Sequence, residues 1–338
     1  MRVFEIQKSF SGIEAIKPAE RDQPKPGPRQ ALIFMRAAAL NFRDLMIVKG
    51  IYNPNIPLPR VPLSDGVGEV VEVGAEVTRV KRGDRVGLCF MPGWIDGEPT
   101  SAKTRHALGG DIDGTLAEFV VANEDGLVKV PEHLTDEQAA TLPCAAVTAW
   151  NALAVSGTVK PGDVVLTQGT GGVSLFALQF AKLMGARVII TSSSDAKLLR
   201  AEGMGAIDGI NYKTTPEWQN RVLELTGGAG ADHVIELGGA GTLPQSLQAV
   251  RMGGQISLIG VLTGAGTFNP IPMLMKHARI QGIFVGSRAM FDEMNRAIAL
   301  HKLVPVVDKV FAFGEIHAAL RHMESGGHFG KIVVRIAQ

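Results

Sequence analysis

The sequence predicts a two-domain α/β protein: a small irregular β-barrel followed by a doubly wound parallel sheet of six strands. Three observations predict it. The first third carries short Val/Leu/Phe-rich runs, "ALIFMRAAAL", "GVGEVVEVG", "DRVGLCF" and "TLAEFVVA", separated by Gly, Pro and Asp breakers. From Pro131 onward, strand-like runs alternate with helical ones. The stretch "DVVLTQGTGGVSLFALQFAKLMGARVIITSSSDAK", residues 163–197, joins a strand, a glycine turn, an apolar helix and a second strand, which is half of a dinucleotide-binding unit.

Length and composition agree with this. The 338 residues suffice for two domains, and 40 glycines suit tight turns and close backbone packing. A formal net charge of +1 and the lack of a dense Lys/Arg run argue against a nucleic-acid partner. Cys89 and Cys144 are the two cysteines, too few for a disulfide framework. No apolar run is long enough to span a bilayer, and "MRVFEIQKSF" lacks the apolar core of a signal peptide. The expectation is a soluble cytoplasmic protein with a small-molecule substrate and no nucleic-acid or membrane partner.

The elements follow in order. "EIQKSFSGIEAIKPAERDQPKPGPRQ" is polar and Pro-rich and reads as surface connections. The run from Met91 to Asp113 reads as a long excursion, a candidate lid. Thr135 followed by Gln138 forms a capping box that opens a helix. Pro143 suits the first turn of the next helix, and Gly157 its end. Strands are expected at about 163–168, 187–192, 207–211, 231–237, 254–260 and 279–286, with helices at about 173–184, 216–226 and 289–301. A final strand, helix and strand, "VVDKVFAFGEIHAALRHMESGGHFGKIVVRI", is assigned back to the first domain. The domains expected are 1–124 with 291–338, and 125–290.

The glycine turn places Gly169, Gly171, Gly172 and Val173 where a pyrophosphate would sit. The first glycine permits the turn and the second lets the backbone approach the phosphates. Ser174 stands where a third small residue packs helix on strand, and the helix N-terminus favours anions. An NAD site usually carries an acid after the second strand, to take the ribose hydroxyls. Here that place holds Ser192, Ser193 and Ser194, with Lys197 a turn later and Tyr212 after the next strand. A carboxylate would repel a 2′-phosphate by about 4 kcal/mol at ~4 Å with an effective dielectric of ~20. Its absence favours NADP over NAD. Two other readings stay open: Ser194 as a mere helix cap with Lys197 solvated, and Asp195 reaching a ribose. The turns "ELGGAG" and "IGVLTG" and the end of the last strand lie where ligands bind in open α/β sheets. They nominate Gly238, Gly239, Val261, Phe284, Val285 and Gly286 for the nicotinamide half, or else for turn and core.

The segments "NFRDLMIVKGIYNPNIPLPRVPLSDGVGEVVEVGAEVTRVKRGDRV", "GTLAEFVV", "LPCAAVTAW" and "GTGGVSLFALQFAKLMGARVI" together resemble the medium-chain dehydrogenase/reductase family over nearly the whole chain. The resemblance implies a GroES-like β-barrel catalytic domain, a Rossmann domain, an active site in the cleft between them, and homodimers joined through Rossmann edge strands, here "ARIQGIFVGS". It also implies that Thr148 approaches the nicotinamide ribose. Zinc-dependent members place metal ligands at positions that correspond here to Asn41, to Ser64 within "LSDG", and near Cys144. A neutral amide and a hydroxyl are poor zinc ligands. Asp65 and Asp44 do not complete the usual set, His106 is alone, and Cys89 alone cannot form the four-cysteine structural zinc lobe. The chain therefore resembles the zinc-free quinone oxidoreductase-like branch, which carries Asn at the Asn41 position and whose NADP-binding members use a Lys and a Tyr matching Lys197 and Tyr212. The implied activity is NADPH-dependent hydride transfer to a quinone or other α,β-unsaturated carbonyl, with Asn41 donating to the substrate oxygen. Two roles are open to Tyr52, a pocket donor or a loop anchor. The rival readings are a zinc alcohol dehydrogenase with atypical ligands and a non-catalytic NADPH-binding protein.

Overall fold

The structure is a computed structural model that describes residues 1–337. The chain opens with β1 (Arg2–Ile6) and β2 (Ile16–Glu20), paired antiparallel with Ile6 opposite Ile16. The expectation of plain surface connections here is corrected. Ile6 and Ile16 are fully buried, and that burial holds a strand even through Pro18, which an edge position tolerates. Then come β3 (Gln30–Ala39), helix α1 (Phe42–Val48), β4 (Asp65–Val73), β5 (Arg85–Leu88), β6 (Phe119–Asn123), β7 (Leu127–Lys129) and α2 (Asp136–Ala139).

The Thr135 capping box forms as expected: Thr135 Oγ1 accepts from Gln138 N, and Gln138 Oε1 accepts from Thr135 N. The helix expected from Pro143 is less regular. A π-helical turn at Leu142–Ala146, α3 (Val147–Trp150) and a second π-helical turn at Asn151–Val155 run on in sequence. The Met91–Asp113 excursion is tied down rather than a free lid. Trp94 and Leu108 are buried, Trp94 Nε1 donates to Gly97 O, and Arg288 N donates to Trp94 O.

The parallel sheet follows as β8 (Val164–Gln168), α4 (Gly172–Leu183), β9 (Arg187–Ser192), α5 (Asp195–Gly203), β10 (Asp208–Asn211), α6 (Trp218–Leu225), β11 (Ala231–Glu236), α7 (Leu243–Ala249), β12 (Val250–Leu258), α8 (Ile271–Met275) and β13 (Arg279–Gly282). Its strand order is β10-β9-β8-β11-β12-β13, so the order reverses between β8 and β11. Two boundaries differ from expectation. β12 starts earlier because Val250 pairs with Ala231, and β13 stops at Gly282. The chain returns through α9 (Arg288–His301), β14 (Val307–Ala312), α10 (Ile316–Glu324) and β15 (Lys331–Arg335). As expected, this tail joins the first sheet, ordered β14-β15-β3-β4-β5-β7 with β6 also on β3.

Two compact units result, Met1–Val147 with Gly286–Gln338, and Thr148–Val285. The sequence division at 125 and 290 lies to either side of these boundaries. Residues after 125 stay with the first unit because β7 pairs with β5. Each unit buries its own core. Ile33, Leu40, Val70, Leu320 and Val334 belong to the first, and Leu166, Ile189, Val234 and Ile256 to the second. Among the described residues, no helix is long and apolar enough to cross a membrane.

Candidate functional site

The glycine turn has the geometry its residue types suggest. β8 is buried throughout and delivers Gly169 at φ 74°, a conformation that side-chain-bearing residues rarely adopt. Gly171 precedes the twelve-residue α4 with open space where a Cβ would project. The first N–H groups of a helix have no intrahelical acceptor, and no side chain caps this one. Gly172 and Val173 thus present backbone donors and the positive dipole end toward any anion at the turn. Ser174 does more than stay small. Its buried hydroxyl donates to Gln168 O at 2.6 Å and ties the helix to the end of the strand. These residues fit a dinucleotide pyrophosphate.

The ribose end comes from two neighbouring strands. β9 and β10 run parallel with Ser192 opposite Asn211, and Tyr212 N donates to Ser192 O at 3.0 Å. Ser192 is buried, Ser193 and Lys197 are half-buried, and Tyr212 is exposed. The four residues predicted to meet the 2′-position are therefore gathered at the ends of β9 and β10 and the first turn of α5. Asp195, the residue that would favour NAD, accepts from Asn211 Nδ2 at 2.7 Å. Ser194 occupies the N-cap of α5, but its side chain makes no cap bond.

At the ends of β11 and β12 the picture is mixed. Glu236 is fully buried, and one of its oxygens accepts from the N–H groups of Gly238 and Gly239 at 2.9 and 3.0 Å. Its other oxygen accepts from Gln168 Nε2 and from the Ser246 hydroxyl. The Gly238 N–H is thus committed to shaping the turn. Gly239, at φ 85°, brings its backbone against Val261, which is exposed beyond β12. Past β13, Phe284 is 49% exposed, and Val285 sits at φ 56°. Asn151 Nδ2 donates to the Val285 carbonyl at 2.8 Å, holding a conformation unusual for a β-branched residue. At Gly286 an added Cβ would stand 2.7 Å from Val147 Cγ1, so a side chain there would force Val147 to shift. Thr148 is 3% exposed.

The locus around Asn41 is where the structure adds most. Asn41 caps α1, and its N–H donates to Asp44 Oδ2 at 2.7 Å. Its Nδ2 donates to Ser64 Oγ at 3.3 Å, and its Oδ1 accepts from Lys331 Nζ at 2.6 Å. Ser64 Oγ donates to Asp65 Oδ1 at 3.2 Å. Lys331 Nζ also reaches Leu40 O at 2.6 Å and Asp65 Oδ2 at 3.2 Å. Asp65 is fully buried and Lys331 is 3% exposed. Burial pushes the Asp65 carboxyl up, against the pull of Lys331, Asn41 and Ser64. Burial also pushes the Asp44 carboxyl up, to about 6, although Arg43 and the Asn41 N–H oppose the shift. Tyr52 lays its ring over the Arg43 guanidinium, 5.0 Å away, while Arg43 also lies 4.5 Å from the Phe90 ring. That packing is the anchoring role, and 38% exposure leaves the ring accessible as well.

Zinc does not fit these residues. Asn41 and Ser64 offer a neutral amide and a hydroxyl, and Cys144 by itself cannot supply the three ligands a catalytic zinc needs. An ammonium beside Asn41 adds a like charge to any cation placed there. Among the described residues, no group of three or more His, Cys, Asp or Glu side chains is arranged to hold a metal ion.

Comparison with known proteins agrees with the architecture. Residues 27–132 match the alcohol dehydrogenase GroES-like domain, and residues 172–300 match the zinc-binding dehydrogenase domain. The latter match includes none of Asn41, Ser64 and Cys144. The chain is 45% identical to a zinc-type alcohol dehydrogenase-like protein of Schizosaccharomyces pombe, over 98% of this chain and 99% of that one. It is similar to a solved NAD-dependent alcohol dehydrogenase, with TM-score 0.92, 34% identity and all of both chains covered. It is also similar to a quinone oxidoreductase of Pseudomonas syringae pv. Tomato, with TM-score 0.83, 28% identity and 99% of both chains covered. The chain belongs to the medium-chain dehydrogenase/reductase family, and it is an oxidoreductase fold of the alcohol dehydrogenase-like kind.

Lys331 is the site residue that sequence reasoning missed. In the sequence it stands only as the first residue of a terminal strand. The available signal was a lysine directly before the apolar run "IVV" of the strand "KIVVR", where a charge must find a buried partner or stay at the edge. Gln168 and Glu236, which organise the turn at Gly238, end two strands 68 positions apart in sequence, so no local pattern links them.

Proposed function

We propose that the protein is an NADPH-dependent, metal-independent reductase that transfers hydride to a quinone or other α,β-unsaturated carbonyl. The observation that carries the reading is the Asn41 locus, where hydrogen-bonding groups stand at positions that hold metal ligands in zinc-dependent members. Without a Lewis acid a simple carbonyl is weakly activated. A conjugated acceptor spreads the incoming charge onto an oxygen that an amide N–H stabilises. Bound NADPH supplies the hydride. The chain's own part is to hold the phosphates at Gly169–Val173, to distinguish the 2′-phosphate through Ser192, Ser193, Lys197 and Tyr212, and to offer the Asn41 amide to the developing oxyanion. Solvent then protonates the enolate carbon. The similarity to a quinone oxidoreductase supports the acceptor class, and the similarity to an NAD-dependent alcohol dehydrogenase is the reason to run NADH beside NADPH.

The test is cofactor consumption by chelator-treated protein offered a panel of quinones and enones. Turnover with NADPH preferred is the expected result. Zinc near one per chain, with activity lost on chelation, sinks the metal-free reading. Turnover preferring NADH overturns the cofactor assignment alone.

A narrower prediction concerns Lys197. Its replacement by alanine is expected to weaken NADPH binding about ten-fold, the low end for a hydrogen bond to a charged group, because the position is half-open to solvent. NADH binding should change less than two-fold. Fluorescence titration of both cofactors checks this, and an equal loss for both removes Lys197 from the 2′-phosphate site.

We also propose a homodimer through β13. It is an edge strand without proline, and Ile271, Leu274 and Met275 of α8 are exposed nearby in sequence. Sedimentation should give twice the 35.9 kDa chain mass. Leu274→Asp combined with Met275→Asp should give the monomer, and an unchanged dimer places the contact elsewhere.

A further inference from the structure

Lys331 is a buried cation with every donor in use. An ammonium has three N–H groups and no acceptor. Leu40 O, Asn41 Oδ1 and Asp65 Oδ2 provide three acceptors around Nζ, at 2.6, 2.6 and 3.2 Å. This saturation has two consequences. The ammonium has no donor left for a ligand, so any effect on chemistry must pass through a neighbour. The atom of the Asn41 amide that meets Lys331 must also be its oxygen, since an NH2 group facing an ammonium would set donor against donor. The amide nitrogen is then forced to the opposite side, where it donates to Ser64 Oγ. Ser64 is another of the positions that hold metal ligands in zinc-dependent members, so the donor end of the amide is turned toward the former metal position. The Ser64 hydroxyl is oriented in turn because it donates to Asp65 Oδ1. Lys331, Asn41, Ser64 and Asp65 close a ring in which each side chain fixes the next.

We propose that Lys331 is the positioning residue of this site: its ammonium locks the Asn41 amide with the nitrogen facing the substrate oxygen and polarises that N–H. The proposal deepens the reductase reading and rests on it for the nature of the substrate. The device replaces a metal's positive charge by a protein cation one bond removed. A cation that draws electron density from the amide oxygen makes the N–H a stronger donor. Without it the amide is free to rotate and present its carbonyl, which repels an oxyanion.

The experiment compares the wild-type chain with Lys331→Arg and with the double variant Lys331→Met, Asp65→Asn. The double variant removes both buried charges together, so that no bare carboxylate is left to unfold the protein. Two quantities are read: the side-chain amide resonance of Asn41 in 15N-labelled protein, assigned by its loss in Asn41→Ala, and kcat and KM for enone reduction. The double variant is expected to keep its fold and its KM for NADPH within two-fold, to lose at least ten-fold in kcat, and to show the Asn41 amide signal shifted upfield with faster rotation. Lys331→Arg should recover part of kcat. A folded double variant with kcat within two-fold of wild type overturns the proposal whatever the signal does. If the wild-type chain turns over no acceptor, the reductase reading falls, and the amide signal alone decides: unchanged in the double variant, it overturns the positioning role, and shifted as described, it upholds that role for oxygen ligands at the site.

Discussion

Under the proposed reductase activity, replacing Asn41 by alanine is expected to lower kcat for a conjugated acceptor by about a hundred-fold to a thousand-fold, with the KM for NADPH near its wild-type value. The magnitude is that of removing one pre-oriented oxyanion donor, roughly 3–4 kcal/mol of transition-state stabilisation. The fold is expected to survive at reduced stability. Asn41 sits at the N-cap of a seven-residue helix, where loss of a cap residue costs about 1 kcal/mol, and loss of its Oδ1 leaves the buried Lys331 ammonium one acceptor short, roughly 1–3 kcal/mol more. The Asn41 N–H bond to Asp44 is a backbone donation and persists in the variant. Steady-state kinetics with a quinone and an enone, beside a thermal melt, separate the two effects. A kcat unchanged in a folded Asn41→Ala protein removes Asn41 from catalysis and leaves it as a loop tie.

Lys331→Met alone is expected to cost stability rather than only rate. Asp65 has no exposure to solvent, and its cation is Lys331. Removing one member of a buried pair typically costs about 3–5 kcal/mol, because the remaining charge is left without compensation. The dependence on pH follows from the direction of the Asp65 shift. Burial already raises its carboxyl above the unfolded value, and Lys331 is the largest opposing influence. Without Lys331 the folded carboxyl rises further. An acid raised in the folded state carries no penalty below its unfolded pKa, where both states are protonated. The penalty grows as pH rises toward the folded pKa. Denaturant unfolding at pH 5 and pH 8 should therefore find the variant closer to wild type at pH 5. Adding Asp65→Asn should restore most of the loss at both values. A single variant as stable as wild type at pH 8 contradicts the buried charge pair.

Much of the architecture was readable along the chain because it is encoded locally. The Val- and Ile-rich run 187–192 is a strand, Thr135 and Gln138 form the capping box, and Gly169 takes the positive φ its turn requires. Departures arose where a neighbour outweighed the local pattern. Residues 16–20 form a strand because Ile16 is buried opposite Ile6, and 125–147 stay with the first unit because β7 pairs with β5.

The site divides in the same way. The sequence by itself determined the glycine turn, the serines in place of an acid, and Asn41 and Ser64 where zinc-dependent members carry metal ligands, since each is a matter of residue type at a known offset from a local element. Only the tertiary structure decided what faces Asn41. β15 runs antiparallel to β3 with Val333 opposite Ala39, and two residues further along this register Lys331 comes beside Asn41. The two residues are separated by 290 positions, and no periodicity or spacing links them. Strand register is set by which side chains fill the shared core, here Ala38, Leu40, Ile332 and Val334, and a slip of one residue would turn Lys331 to the other face of the sheet. The ammonium reaches Asn41 through the packing of two distant apolar segments.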